Sequence, residues 1–368
     1  MTTLTGSGAF MSDMVLITGA FGLVGPETVR QFADDGWRVV VTAHRKAADE
    51  LPPGVQVRWV DLTDAVAVDR LVSEVAPTVI VHLAAVIPPM IYRDAKLARR
   101  VNVDATAALV RAAERLPNPP RFVHASSAAV YGSRNPHRHP EPVGLDTPLR
   151  PCELYGGQKL EAEMIVRSSC LDWVVLRLGG VISVDPKAQP FNSEVLYFGS
   201  AMPTDGRVHC IDTRDVATAF VAAARAAADQ VVGEILLIAG DDSHLLLQGE
   251  IGSAMSATQG MVGLVPPGRP GDPNCDDGWF PNDWMDVARA QRLLNFQHHS
   301  WPDMMAEMRA RAGWKRYPLR LIAPAARQFT KRYAAYRNKP GRYADVWSAL
   351  GAKFGDTALE SADTAESE

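Results

Sequence analysis

The chain is expected to fold as an α/β protein, a doubly wound parallel sheet with a smaller C-terminal lobe. Three observations lead there. Short runs rich in Val, Ile and Leu recur as far as residue 240, nearly continuous rather than alternating, which is the pattern of strands buried on both faces of a parallel sheet. Longer stretches of helical periodicity lie between them, so strand and helix alternate. At 368 residues the chain is long enough for one large core and a subsidiary lobe.

The elements follow in order. Residues 1–13 lack the basic region and long apolar run of a leader and are expected to be flexible. MVLIT at 14–18 is the first strand, and a helical stretch follows at 22–36. WRVVVTA (37–43) and VQVRWV (55–60) are the next strands, then a helix at 63–75 and the strand TVIVHLAA (78–85). A helix at 94–116 leads to RFVHASS (121–127), and one at 153–169 leads to DWVVLRL (172–178). A helix at 213–228 and the strand EILLIAG (234–240) close the series. The core is therefore placed at 14–178, completed by about 208–240, with 179–207 and 241–315 forming the lobe. From Val265 the stretch VPPGRPGDPNCDDGWFPNDW is dense in Pro, Gly and Asp and reads as a long loop; MDVARAQRLLNF and WPDMMAEMRARAGW after it read as helical. Residues 316–368 form an extension, basic and then acidic, whose end DTALESADTAESE is expected to be disordered. No internal repeat is present.

Composition narrows the function. Hydrophobic residues make up 47% and charged residues 22%, the balance of a globular protein in water. A net charge of −4 gives no global basic field for nucleic acid. No run approaches the roughly 18 apolar residues of a spanning helix. The four cysteines, Cys152, Cys170, Cys210 and Cys275, show neither close pairing nor metal-ligand spacing, so a reducing, cytoplasmic compartment is expected. His137 and His139 in NPHRHPEP lack nearby cysteines or an acidic pair and are read as a solvated loop near a site entrance, with no metal expected.

Two constellations carry chemistry. TGAFGLVG follows the first strand and opens a helix, placing Gly19, Gly22 and Gly25 where a tight turn lets a pyrophosphate approach the backbone and the helix N-terminus. ELYGGQKLEAE at 153–163 sets Tyr155 and Lys159 one helical turn apart, on one face. An ammonium beside a phenol favours phenolate, which makes a tyrosine a proton-transfer group near neutral pH.

At these residues the sequence resembles the extended short-chain dehydrogenase/reductase family, the NAD-dependent epimerase/dehydratase type with a Rossmann-type core. The family's Thr-Gly-x-x-Gly-x-x-Gly is matched from Thr18 to Gly25, and the resemblance implies cofactor contacts from Gly19, Phe21, Gly22, Leu23, Val24 and Gly25. DLTD places Asp61 and Leu62 near the adenine; HLAA places Leu83, Ala84 and Ala85 beside the nicotinamide ribose. In VNVDAT, Asn102 matches the family's structural asparagine and is grouped with the catalytic residues. HASSAAVYG matches the strand end with the catalytic Ser or Thr, and counting back from YG selects Ser127, with Ser126 its neighbour. TPLRPCELYGGQK supplies Tyr155 and Lys159. The implied mechanism has Ser127 holding the substrate oxygen, Tyr155 exchanging its proton, and Lys159 depressing the tyrosine pKa and holding the nicotinamide ribose. The family also implies a homodimer.

The second strand ends at Ala43 without the acid of NAD-preferring members, and His44, Arg45 and Lys46 follow. Cations there suit a 2′-phosphate, so NADP is expected, with NAD the alternative. Nucleotide-sugar members carry Arg-x-x-Asn-x-Tyr-Gly-Pro after the sixth strand; here RLGGVISVDP puts Gly180 at the asparagine. Their arginine before Asp-Val-Ala is displaced too, with Val208 in its place and Arg207 one position off, and Glu153 replaces the serine before the tyrosine. The expectation is an oxidoreductase acting on the carbonyl or secondary alcohol of a small, relatively apolar substrate. The segments 86–92 and 191–203 and the loop around Trp279 and Trp284 are its candidate lining. A nucleotide-sugar epimerase or dehydratase is the first alternative, and a dinucleotide-binding scaffold without turnover the second.

Overall fold

The computed structural model describes residues 13–44, 51–186, 188 and 192–359. Seven strands form one parallel sheet: β1 (Met14–Thr18), β2 (Arg38–Ala43), β3 (Gln56–Trp59), β4 (Val79–His82), β5 (Arg121–Ser127), β6 (Trp173–Leu178) and, from later in the chain, β9 (Glu234–Ile238). Their order is β3-β2-β1-β4-β5-β6-β9. The central strands are buried on both faces, which is why they read as continuous apolar runs. β3 is an edge strand, and its Trp59 stands in solvent.

Helices α1 (Gly25–Asp34) and α7 (Thr213–Arg225) cover one face of the sheet, with α8 (Ala228–Val231) following α7. The other face is covered by α2 (Ala65–Val75), α4 (Ala105–Glu114) and α5 (Leu154–Arg167). The helix expected at 94–116 is broken: α3 (Ala95–Arg99) passes through a wide π turn at Arg100–Asp104 before α4. Ionic or polar caps set several starts. Asp64 accepts from Val66 N and Ala67 N (2.9 and 3.1 Å), and Asp212 from Arg214 N (2.8 Å).

The lobe contains a second sheet that strand periodicity did not reveal. β7 (Gly180–Ile182) pairs parallel with β8 (Arg207–Asp212), which pairs antiparallel with β10 (Leu245–Leu247). Two of these strands are three residues long, too short to display a period. Of residues 208–240, α7 and β9 join the core and β8 joins the lobe. The lobe's helices are α6 (Ser193–Ala201), α9 (Gln248–Thr258), α11 (Trp301–Ala312), α12 (Arg316–Thr330) and α13 (Val346–Phe354), whereas α10 (Ala288–Leu294), from the segment assigned to the lobe, packs on the large sheet beside α7 and β9. α10 and α11 fall where helical periodicity placed them. The extension is folded through Leu359: α13 packs with Ile91, Tyr92 and Leu154, and Leu154 N donates to Thr357 O (3.0 Å). Of the acidic end expected to be disordered, residues 356–359 are thus described, and 360–368 lie outside the described residues. Among the described residues no helix is long and apolar enough to cross a membrane.

Candidate active site

In the sheet order, β1 sits between β2 on one side and β4 on the other, so strands are added outward from β1 in one sense up to β3 and in the other from β4 on. A crevice opens at such a switch point, outside the C-terminal strand ends. Thr18 and His82, the last residues of β1 and β4, face each other in register there. The glycine loop leaves β1 at this place. Gly19 has φ +72°, and a Cβ on it would lie 2.5 Å from Ala84 N, so the loop presses against the HLAA segment. A Cβ on Gly25 would lie 2.3 Å from the Ala20 carbonyl. Phe21, Leu23 and Val24 are half-buried between these glycines, and Gly22 N donates to Gly19 O (3.0 Å). Unlike α2, α5, α6 and α7, helix α1 has no side-chain cap, so its first N–H groups are left for another acceptor. The donor set, the close-packed glycines and the switch-point position fit a dinucleotide pyrophosphate.

The segments expected to meet an adenine are described in part. His44 follows the end of β2, with Nδ1 3.8 Å from Asp61 Oδ2. Asp61 Oδ1 accepts from Thr63 N and Oγ1 (2.9 and 2.8 Å). Leu62 packs on the core. Arg45, the residue expected to bind a 2′-phosphate, lies outside the described residues.

Behind the loop a buried hydrogen-bond chain ties β1 to the π turn. Thr106 Oγ1 donates to Asn102 O (2.8 Å), so it accepts from His82 Nε2 (2.9 Å), and His82 Nδ1 then accepts from Thr18 Oγ1 (2.7 Å). That assignment requires a neutral imidazole, and burial pushes the His82 pKa down to about 3. Asn102 in turn clamps two segments. Its Oδ1 accepts from Val86 N (2.7 Å), while Nδ2 donates to Val86 O (3.0 Å) and Gln158 Oε1 (2.9 Å). Ala84, Ala85 and the loop from Val86 are thereby held against α5.

The catalytic candidates meet between β5 and α5. Ser127 ends β5, and its Oγ accepts from Ala129 N (3.2 Å) and lies near enough to the Tyr155 phenol to lower its pKa. A Cβ on Gly156 would lie 2.5 Å from Ala129 O, so α5 starts directly against the turn at Ala128–Tyr131, which brings Tyr155 to Ser127. Ser126 points elsewhere. It donates to Glu163, which also holds Arg177 by two bonds (2.7 and 2.9 Å), all three side chains being buried. Between the two serines, therefore, Ser127 is the one beside the tyrosine.

Lys159 is buried, and its Nζ donates to Ala125 O (2.8 Å) and lies 5.8 Å from the centre of the Tyr155 ring. Burial pushes the lysine down from 10.5 to about 8, against the opposing pull of Glu163. The Tyr155 phenol is raised above its ordinary value: burial is the larger cause, Glu153 adds to it, and Ser127 opposes it. Desolvation sets the direction of the shift, and the lowering expected from Lys159 is not among its causes.

Sequence reasoning noted Glu153 only as a departure from the family pattern. It is the buried N-cap of α5, accepting from Tyr155 N and Gly156 N (both 2.7 Å) and from Tyr92 Oη (3.1 Å). An acidic residue just before a helical run was the available signal.

The phosphate-site candidates of the lobe are otherwise engaged. Gly180 is in β7, where a Cβ would lie 2.7 Å from Val208 Cγ1, and Val208 is buried with Cys210 and Ile251. Arg207 is buried, facing Asp283 (3.3 Å) and the carbonyls of Pro136 and His139 (2.6 and 3.0 Å). Arg214 is bound by Asp212 and Glu307 (2.6 and 2.8 Å). His137 faces Asp205 (3.4 Å) and His139 faces Glu141 (3.6 Å). Beside β7 and α6 lies a cavity of about 1160 Å³ whose walls include Val195, Leu196, Phe198, Ile251, Met255 and Met308. Phe198 also belongs to the apolar cluster that packs round Tyr155.

The chain is similar to known proteins in sequence and in fold. The family model of the NAD dependent epimerase/dehydratase family matches residues 15–239. D-erythronate dehydrogenase of Cupriavidus necator is 35% identical over 187 residues, 47% of this chain and 56% of that protein. Methionine adenosyltransferase 2 subunit beta of Bos taurus is 33% identical over 165 residues, 45% of this chain and 46% of that protein. The chain thus spans about half the length of these curated relatives. Among solved structures, UDP-glucose 4-epimerase of Thermotoga maritima with UDP-glucose superposes with a TM-score of 0.64 at 17% identity, over 81% of this chain and 97% of that one. A short-chain dehydrogenase/reductase superfamily protein of Agrobacterium tumefaciens with bound NAD gives 0.64 at 23%, over 85% and 99%. The chain belongs to the NAD dependent epimerase/dehydratase family, enzymes of the extended short-chain dehydrogenase/reductase type.

Proposed function

We propose that this enzyme is an NAD(P)-dependent oxidoreductase that moves a hydride to or from the carbonyl or secondary alcohol of a small, relatively apolar substrate. The observation that carries the reading is the meeting of Ser127, Tyr155 and Lys159 beside the switch-point crevice; an apolar cavity in the lobe, with Phe198 in its wall, supports the apolar substrate class. A dinucleotide bound along the glycine loop would supply the hydride in reduction and accept it in oxidation. Ser127 holds the substrate oxygen, and Tyr155 gives it a proton in reduction or takes one in oxidation. A raised phenol suits the donor, since the proton stays on oxygen until the substrate develops negative charge. Lys159, at about 8, carries its charge at neutral pH and contributes to phenolate and ribose binding. Asn102, through Val86 and Gln158, is a positioning residue. NADP is the preferred cofactor in this reading, through Arg45 and the absence of an acid at Ala43.

The nucleotide-sugar alternative requires donors for a diphosphate. Gly180 and Val208 offer none, and Arg207 and Arg214 already have carboxylate partners, which supports the reductase reading. The scaffold alternative is disfavoured by the presence of both Tyr155 and Lys159. Calorimetry with NADPH, NADH and UDP-, GDP- and dTDP-sugars, followed by absorbance assays on a carbonyl panel, tests the reading. Expected are NADPH binding and net NADPH consumption. Micromolar binding of one sugar nucleotide, with epimerisation and no net change in NADPH absorbance, overturns it.

A further inference from the structure

Helix α12 is amphipathic in the wrong sense for a helix on a water-facing surface. Its inner face is formed by Ala323 and Thr330, which are buried, and by the half-buried Leu319 and Ala326. Helical spacing puts Tyr317 and Leu321 on the outer side and Ile322 and Phe329 on the adjoining flank, with Trp314 one turn before them. All five are exposed, Leu321 at 83% and Trp314 at 73%. Monomeric proteins seldom leave such a contiguous apolar stripe in water.

The charges beside the stripe have one sign. Residues 315–342 contain nine Lys and Arg and no Asp or Glu, in a chain whose net charge is −4. Among the described residues none of these nine cations forms an ion pair; Arg316 and Arg320 instead lie over the Tyr317 ring, and Arg332 over Phe329. Arg320, Arg327 and Lys331 recur along one exposed flank of the helix. An outward apolar stripe with Trp and Tyr, bordered by unpaired cations, is the composition of a helix lying in a membrane interface.

We propose that α12 docks the protein on the surface of a bilayer containing anionic phospholipid, with the stripe from Trp314 to Phe329 entering the headgroup–acyl boundary and the Arg320, Arg327 and Lys331 flank meeting the lipid phosphates. The same helix is a wall of the large cavity, through Ala326, Phe329 and Thr330. Docking through α12 therefore sets the apolar cavity next to the membrane, where an apolar substrate would be concentrated. The docking itself stands apart from the redox reading, because it involves none of Ser127, Tyr155 and Lys159.

Co-sedimentation of the full chain with vesicles tests this, using phosphatidylcholine alone and phosphatidylcholine mixed with phosphatidylglycerol. Binding to the anionic vesicles is expected, with weakening in high salt. Leu321→Glu with Ile322→Glu is expected to weaken it at least tenfold. Arg320→Gln, Arg327→Gln and Lys331→Gln together are expected to weaken it about a hundredfold, from about fivefold per surface cation. These side chains are exposed, and an unchanged melting temperature of each variant establishes that loss of binding is not loss of fold. Three results overturn the proposal: no sedimentation with anionic vesicles, binding indifferent to Leu321→Glu, or a dimer in analytical ultracentrifugation that Leu321→Glu dissociates. The last assigns the stripe to a second copy of the chain.

Discussion

Replacing Lys159 by methionine keeps most of the side-chain volume and removes the buried ammonium. Burial lowers the lysine from 10.5, its unfolded value, to about 8 in the fold. Below pH 8 the group is protonated in both states, and the desolvation cost is fully present. Between about pH 8 and 10.5 the unfolded chain binds more protons than the native one, so stability rises with pH in that window. One pKa unit corresponds to about 1.4 kcal/mol, and linkage over this interval gives a gain of about 2–3 kcal/mol for the wild type between pH 7 and pH 10. Other titrating groups, including Tyr155 and Cys210, are common to both proteins and cancel in the difference. Urea unfolding of wild type and Lys159→Met at pH 7 and pH 10 measures it. The stability of the wild type relative to the variant should improve by about 2–3 kcal/mol at the higher pH. A difference independent of pH would mean that Lys159 is not held at a depressed pKa, and the account of its environment fails with it.

Tyr155→Phe should abolish turnover while leaving dinucleotide affinity near wild type, because the ring and its packing remain; single-turnover absorbance and calorimetry separate the two, and native-rate turnover rejects the assignment. Gly25→Ala places a Cβ 2.3 Å from the Ala20 carbonyl. It should cost about 1–3 kcal/mol of stability and weaken NADPH binding as the loop shifts, read by thermal melts and fluorescence titration. Glu163→Ala strands the buried Arg177 and should cost about 3–5 kcal/mol in urea unfolding, whereas a loss below 1 kcal/mol would show that the arginine finds another partner. Arg45→Ala should weaken NADPH by about ten- to hundredfold and spare NADH; equal losses reject a 2′-phosphate contact.

By itself the sequence determined the α/β class, the strands of the large sheet, the loop from Thr18 to Gly25 and the pairing of Tyr155 with Lys159. These are local signals: runs of β-branched residues four to seven long, glycines at a strand-to-helix turn, two residues one helical turn apart. The three-stranded sheet of the lobe was not legible, because β7 and β10 acquire strand geometry only by pairing with β8. Nor were α6, α9 and α13, whose apolar faces are defined by the lobe they cover. Ser127 was already selected over Ser126 by the family resemblance, and alternation along β5, which turns Ser127 toward Tyr155 and Ser126 toward Glu163, is the physical reason the tertiary structure adds. The sign of the Tyr155 shift also came from the tertiary structure. Spacing brings Lys159 near the phenol, but Ala125 O holds the ammonium, and the closely packed extension and Ile91–Tyr92 turn withhold the water that would stabilise a phenolate. Charge proximity is written in the order of residues; desolvation depends on what the rest of the chain folds over them.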